Sequence, residues 1–93
     1  MADLYGLSIA PHFAGSSVSM MANIHAAAAM PNNLIAVEFH SVAVPWWEDL
    51  VKGLSKPIIK NGYIDVPETP GLGIELDEKT VRKHLAEGEN YFE

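Results

Sequence analysis

The stretch from Leu7 to Phe39 constrains this chain more than any other, because it reads as two short apolar runs separated by one helix-length segment. Residues 7–12 and 34–39 are the runs, and the segment between them opens on Ser16-Ser17 and closes on Pro31-Asn32-Asn33. The reading is strand, helix, strand, and a crossover of this length joins parallel strands. In α/β folds chemistry gathers where such strands end, at their carboxyl side. There the sequence places His12 on the first strand and Glu38 on the second.

A strand turns successive side chains to opposite faces. Ser8, Ala10 and His12 therefore share one face of the first strand, with Leu7, Ile9 and Pro11 on the other; in the second, Leu34, Ala36 and Glu38 alternate with Ile35, Val37 and Phe39. Small or polar residues on one face and bulky ones on the other fit a sheet whose bulky face lies under helices while the opposite face looks into a crowded barrel interior. His12 and Glu38 are then expected on one side, at one end, from neighbouring strands about 5 Å apart.

The helix between them carries its own signs. Ser16 or Ser17 can accept a hydrogen bond from a first-turn N–H, Ala26–Ala29 has high helix propensity, and Pro31 cannot extend the helix. Val18, Met21, Ile24 and Ala28 fall on one apolar face. Gly15-Ser16-Ser17 supports two readings: ordinary capping, or an anion-binding terminus where free N–H groups meet a substrate.

Beyond Glu38 the pattern changes. Residues 40–45 read as an irregular connector, and Trp46-Trp47-Glu48-Asp49-Leu50 as a short amphipathic turn whose paired indoles need cover. Asn61-Gly62 between residues 56–60 and 63–66 signals a hairpin, because a type I′ turn requires positive φ at both central positions. Pro67, Pro70, Gly71 and Gly73 mark a loop. Asp77 then caps a last helix running to about Ala86 before Gly88, with Leu76 and Val81 placed as a hydrophobic staple. The chain divides near residue 45 into a parallel α/β portion, 1–45, and a hairpin-and-helix tail, 46–93.

Composition narrows what such a chain can do. With 93 residues, 48% of them hydrophobic, it is one small α/β unit that buries only about 60–65% of its unfolded surface. A net charge of −6 with scattered Lys and Arg argues against nucleic acid or an anionic membrane as partner. No Cys is present, so neither a disulfide framework nor a thiolate zinc site is available, which suits a cytoplasmic protein. The start of the chain reads as neither signal peptide nor membrane span. His25 and His84 lie within helices and read as packing or solvent residues. His40 could pair with Glu38 at a metal, but no third ligand has suitable spacing.

Pro11-His12-Phe13-Ala14-Gly15-Ser16, the Ala-rich helix, Glu38, Pro45-Trp46-Trp47 and the run from Ile59 to Pro67, followed by Pro70 to Ile74, together resemble the carboxyl-terminal part of the mandelate racemase and muconate lactonizing branch of the enolase superfamily. The similarity covers nearly the whole chain, is most specific from Asn61 to Ile74, and points to the acid-sugar dehydratases of that branch. It implies the last part of a modified eight-stranded (β/α) TIM barrel, with residues 7–12 on the seventh strand and 34–39 on the eighth. Residues 46–93 become a returning segment that packs against a capping domain.

The resemblance also implies roles. His12 matches the general base that moves the proton next to a substrate carboxylate, and Glu38 matches the acidic residue that hydrogen-bonds that carboxylate as the enediolate forms. Gly15 and Ser16, on the anion-binding reading of the helix terminus rather than on the resemblance, are the candidate substrate contacts. Imidazole titrates near neutral pH, and a protonated carboxyl can donate to a developing oxyanion. Magnesium is the implied cofactor of the family, held by three carboxylates on earlier strands, with a sixth-strand carboxylate pairing with the histidine and a lysine as second base. No metal-binding residue of that set is expected in this chain, and Asp3 is too near His12 in sequence to be its partner. The expectation is a fragment of an acid-sugar dehydratase or racemase, inactive alone, whose sugar-acid or 2-hydroxy-acid substrate and choice between elimination and racemisation stay open. The alternative is a non-enzymatic α/β module. Both leave sheet edges and apolar surface uncovered, so a homo-oligomer is expected.

Overall fold

A computed structural model describes residues 1–40 and 42–92. Its order is a 3₁₀ turn at Ala2–Tyr5, helix α1 at Ser17–Ala28, a 3₁₀ turn at Glu48–Leu50, strand β1 at Val51–Lys52, strand β2 at Glu75–Leu76 and helix α2 at Glu78–Lys83. β1 and β2 pair antiparallel, Val51 opposite Leu76 and Lys52 opposite Glu75. The chain is therefore α/β, although the sheet formed by these two strands is not the one anticipated. Among the described residues no helix is long and apolar enough to cross a membrane.

The two runs of the opening unit lie side by side and parallel, but they do not form a continuous ladder. One bridge, Ile9 to Leu34, joins them. Ile9 N–H donates to the Asn33 carbonyl at 2.8 Å, Ile35 N–H to the Ile9 carbonyl at 2.9 Å, and Glu38 N–H to the Pro11 carbonyl at 3.0 Å. Two causes limit the ladder. Pro11 has no N–H to give, and the third bond arrives one residue late: an even register from Ile9–Leu34 would bring Val37 N–H, not Glu38 N–H, to Pro11. Residues 34–38 thus contain a bulge of one residue.

That bulge corrects the expected faces of the second run. Leu34 and Val37 are half-buried while Ile35, Ala36 and Glu38 are exposed, so the alternation breaks at Ala36. Leu34 shares the covered side with Ile9, not the open side with Glu38.

Helix α1 begins as expected. Ser16 is extended, with φ −72° and ψ 165°, and its Oγ accepts the Ser19 N–H. It buries Ser17, Met20, Met21, Ile24 and Ala27, so the covered face is turned slightly from the expected one: Ala28 is exposed and Val18 only half-buried. The partner surface is Trp47, Leu50, Val51 and Ile58, which with Phe13, Met20, Met21 and Ile24 form the core. Trp47 is buried, and the Trp46 ring stacks on His84 with centroids 4.2 Å apart. The cover that the indole pair needs is thus found inside the chain.

The turn Asn61-Gly62 adopts positive φ at both residues, 50° and 81°, and Lys60 and Tyr63 exchange both backbone bonds at 2.9 Å. Pairing stops there because the Ile58 N–H is taken by Glu48 Oε1 at 2.7 Å. Asp77 caps α2 through Oδ1, which accepts the Thr80 N–H at 2.8 Å. The helix ends at Lys83, earlier than expected, where His84 Nδ1–H donates back to the Thr80 carbonyl at 2.9 Å. Of the expected connector at 40–45, Ser41 lies outside the described residues.

The shape is extended for so short a chain. Its radius of gyration is 15.1 Å, against about 12 Å for a compact domain of this length. The accessible surface is 6853 Å², against about 5,300 Å² for a folded monomer of this mass. Large apolar side chains stand exposed along the chain, among them Leu4, Tyr5, Leu7, Ile35, Val42 and Tyr63.

Candidate functional site: the His12–Glu38 pair

The offset at Ala36 has a direct consequence for the two residues of interest. With the Ile9–Leu34 register unbroken, His12 would stand beside Val37 and Glu38 would point to the other side of the sheet. The extra residue moves Glu38 level with His12, on the open side. There His12 Nδ1 and Glu38 Oε2 meet at 2.9 Å.

A carboxylate oxygen only accepts, so Nδ1 carries the hydrogen whenever the pair is formed with an ionised Glu38. That leaves His12 Nε2 as the nitrogen with a free lone pair in the neutral ring. Both side chains are well exposed, 81% and 56%. Water screens such a pair, so its contribution to stability is small. What it supplies is a bias towards the Nδ1–H tautomer and towards one ring orientation.

Each member of the pair is followed by an aromatic residue, and both aromatics face the covered side. Phe13 and Phe39 are stacked at 6.1 Å between centroids, and both meet the Trp47 ring edge-on, at 6.4 Å and 5.4 Å. His40 joins them, stacked on Phe39 at 4.5 Å, with Nδ1–H donating to the Val42 carbonyl at 2.8 Å.

Gly15 and Ser16 are occupied by structural work. The Gly15 carbonyl accepts the Trp47 indole N–H at 2.9 Å. A Cβ at Gly15 would lie 2.5 Å from Ser19 Oγ, which itself donates to the Ser16 carbonyl at 2.8 Å. Ser16 caps α1. Both border an open, almost wholly apolar groove of about 390 Å³ with Trp46, Val42 and Leu50. Neither His12 nor Glu38 lines it.

The remaining histidines have local partners. His25 Nε2–H donates to the Leu72 carbonyl at 3.1 Å, tying α1 to the loop before β2, and His84 closes α2. Among the described residues no group of three or more His, Cys, Asp and Glu lies close enough together to hold a metal ion. These residues do not fit a magnesium site. Trp47, Phe13 and Phe39 escaped the sequence reading as neighbours of the site, although the recurrence of Phe directly after both His12 and Glu38 was a visible sign.

Comparison with known proteins shows the family of the chain. Residues 1–80 match the family model described as enolase C-terminal domain-like. A D-xylonate dehydratase from Haloferax volcanii is 44% identical over 93 residues, which is 100% of this chain and 22% of that protein. An arabinonate dehydratase from Saccharolobus solfataricus is 32% identical over 75 residues, covering 78% of this chain and 18% of its own length. A crystal structure of a mandelate racemase/muconate lactonizing enzyme-like protein from Rubrobacter xylanophilus superposes with a TM-score of 0.85 at 40% identity, over 92% of this chain and 22% of that one. The chain thus spans about a fifth of the length of these relatives. It belongs to the enolase C-terminal domain-like family, in its mandelate racemase/muconate lactonizing enzyme-like branch.

Proposed function

We propose that this chain supplies the proton-handling pair of an acid-sugar dehydratase site, with His12 as general base and Glu38 as the acidic residue that hydrogen-bonds the substrate carboxylate. The observation that carries the reading is the 2.9 Å contact that fixes Nδ1 of His12 against Glu38 and leaves Nε2 open. Nε2 then accepts the proton from the carbon next to the substrate carboxylate. Glu38 also hydrogen-bonds the substrate carboxylate as the enediolate forms, through its second oxygen when that oxygen carries a proton. Gly15 and Ser16, at the amino end of α1, bind the substrate's distal oxygens through backbone N–H groups. The substrate class is a sugar acid, as the names of the two dehydratase relatives suggest.

On this reading residues 7–12 and 34–39 are the last two strands of a TIM barrel, 1–45 its closing portion, and 46–93 the segment that returns to the cap. Magnesium, and the carboxylates that hold it, belong to other parts of such a barrel. The 93-residue chain alone is therefore silent, since the enediolate of a weak carbon acid lacks its main electrostatic stabilisation. The test is a graft that replaces the matching segment of the Haloferax volcanii dehydratase with this chain. The graft should dehydrate D-xylonate, and His12→Ala within it should lower kcat by about 10²–10⁴. An active graft indifferent to His12→Ala would contradict the assignment.

The exposed apolar side chains of Leu4, Tyr5, Leu7 and Ile35 favour self-association of the isolated chain. Sedimentation at micromolar concentration should show a dimer or larger species that Ile35→Lys reduces. A monomer across that range would show these side chains to be tolerated in water.

A further inference from the structure

We propose that Trp47 is the positioning residue of the His12–Glu38 pair, holding both members in register from the far side of the sheet. This rests on reading the two as the proton-handling pair. The need for such a residue is visible in the backbone. The two runs share one bridge and three backbone hydrogen bonds, and the ladder is interrupted at Pro11, directly before His12. A slip of one residue would carry Glu38 back to the opposite face. Backbone pairing this thin does not hold a one-residue offset by itself.

Trp47 touches all the pieces that must stay aligned. Its ring meets Phe13, the residue after His12, and Phe39, the residue after Glu38, edge-on in both cases. Its N–H donates to the Gly15 carbonyl at 2.9 Å, which anchors the loop leaving His12. Phe13 is 3% exposed and Trp47 6% exposed, so this contact belongs to the core and moves only with it. Trp47 in turn stands on the best-braced part of the chain. It leads directly into Glu48–Leu50, where Glu48 accepts the Ile58 N–H and the Leu50 carbonyl accepts the Asp77 N–H at 2.8 Å. A rigid segment thus reaches across and clamps the two aromatic neighbours of a loosely paired site. A single polar bond at Gly15 and two edge-on ring contacts, each worth more than its area alone, set the relative height of His12 and Glu38.

The tautomer of neutral His12 reads this out, because only a Glu38 held level with it selects the Nδ1–H form. Long-range proton–nitrogen NMR of the 93-residue chain, taken about two units above an ordinary imidazole pKa, reports each ring separately. In the wild type the Nδ1–H share of His12 should be raised above that of a free imidazole, and Glu38→Ala should abolish that rise. Trp47→Phe, which keeps a ring and loses the donor, and Phe39→Leu, at a half-exposed ring, should each abolish it too, while His25 and His84 keep their signatures and the circular dichroism is unchanged. If Trp47→Phe fails to fold, Phe39→Leu alone decides. Retention of the raised Nδ1–H share in the folded variants, with its loss in Glu38→Ala, would overturn the role of Trp47 and leave the pair intact. Indifference of His12 to Glu38→Ala would overturn the pair itself, and this proposal with it.

Discussion

The covered side of this molecule and its open side are built by different rules. On the covered side, α1 packs Met20, Met21 and Ile24 onto Trp47, Leu50, Val51 and Ile58, and Glu48 and Asp77 each accept a neighbouring backbone N–H. On the open side, His12 and Glu38 are joined by one exposed contact above a single parallel bridge. Stability concentrates in the first region and chemistry-bearing groups in the second. The residues that fix the fold are therefore not those proposed to act, except at Trp47, where the two regions meet.

The largest expected effect strikes the covered side. Met21 is fully buried, so Met21→Ala should cost about 2–5 kcal/mol, and chemical denaturation should show most of the transition lost. A small change there would mean that the helix is less tightly packed than its burial implies. Gly73 comes next. Its φ is +71°, and a Cβ would lie 2.4 Å from Pro67 Cγ; Gly73→Ala should cost about 1–3 kcal/mol, whereas Gly62→Ala, with open space around it, should cost less.

Acid should loosen the covered side at Asp77. The Thr80 backbone N–H, followed by the Lys52 ammonium at 3.1 Å, holds the Asp77 carboxyl down from 3.8 to about 2. A depressed folded-state value stabilises the fold above the unfolded value, and that contribution is lost as pH falls from about 4 towards 2. Asp77→Asn should flatten the unfolding midpoint across that window. On the open side the expected effect is smallest: His12→Ala and Glu38→Ala should each move stability by no more than about 0.5 kcal/mol. A larger loss would mean that the pair is part of the framework and the two regions are not separate.

The same division explains what could be read in the sequence. Local chemistry was legible. Ser16 and Asp77 cap the helices expected of them, and Asn61-Gly62 turns the chain with positive φ at both positions. So was the meeting of His12 and Glu38, although by a different route from simple alternation. Parity placed Leu34 with Glu38, and the structure separates them by the unpaired residue near Ala36, which no residue pattern announces. The β1–β2 pairing was invisible because each strand has two residues and the partners lie far apart in sequence. What covers Trp47 was invisible for the same reason, since its acceptor is Gly15, 32 residues earlier.

Proton–deuterium exchange at the carbon next to the carboxylate of D-xylonate, in heavy water with magnesium, tests the central claim most directly, because it registers proton abstraction without requiring product. The dehydratase graft carrying this chain should exchange and should stop on His12→Ala, while the 93-residue chain alone should stay at background. Exchange by the isolated chain that disappears in His12→Ala would contradict the account, since it would show that this pair abstracts the proton without the rest of the barrel.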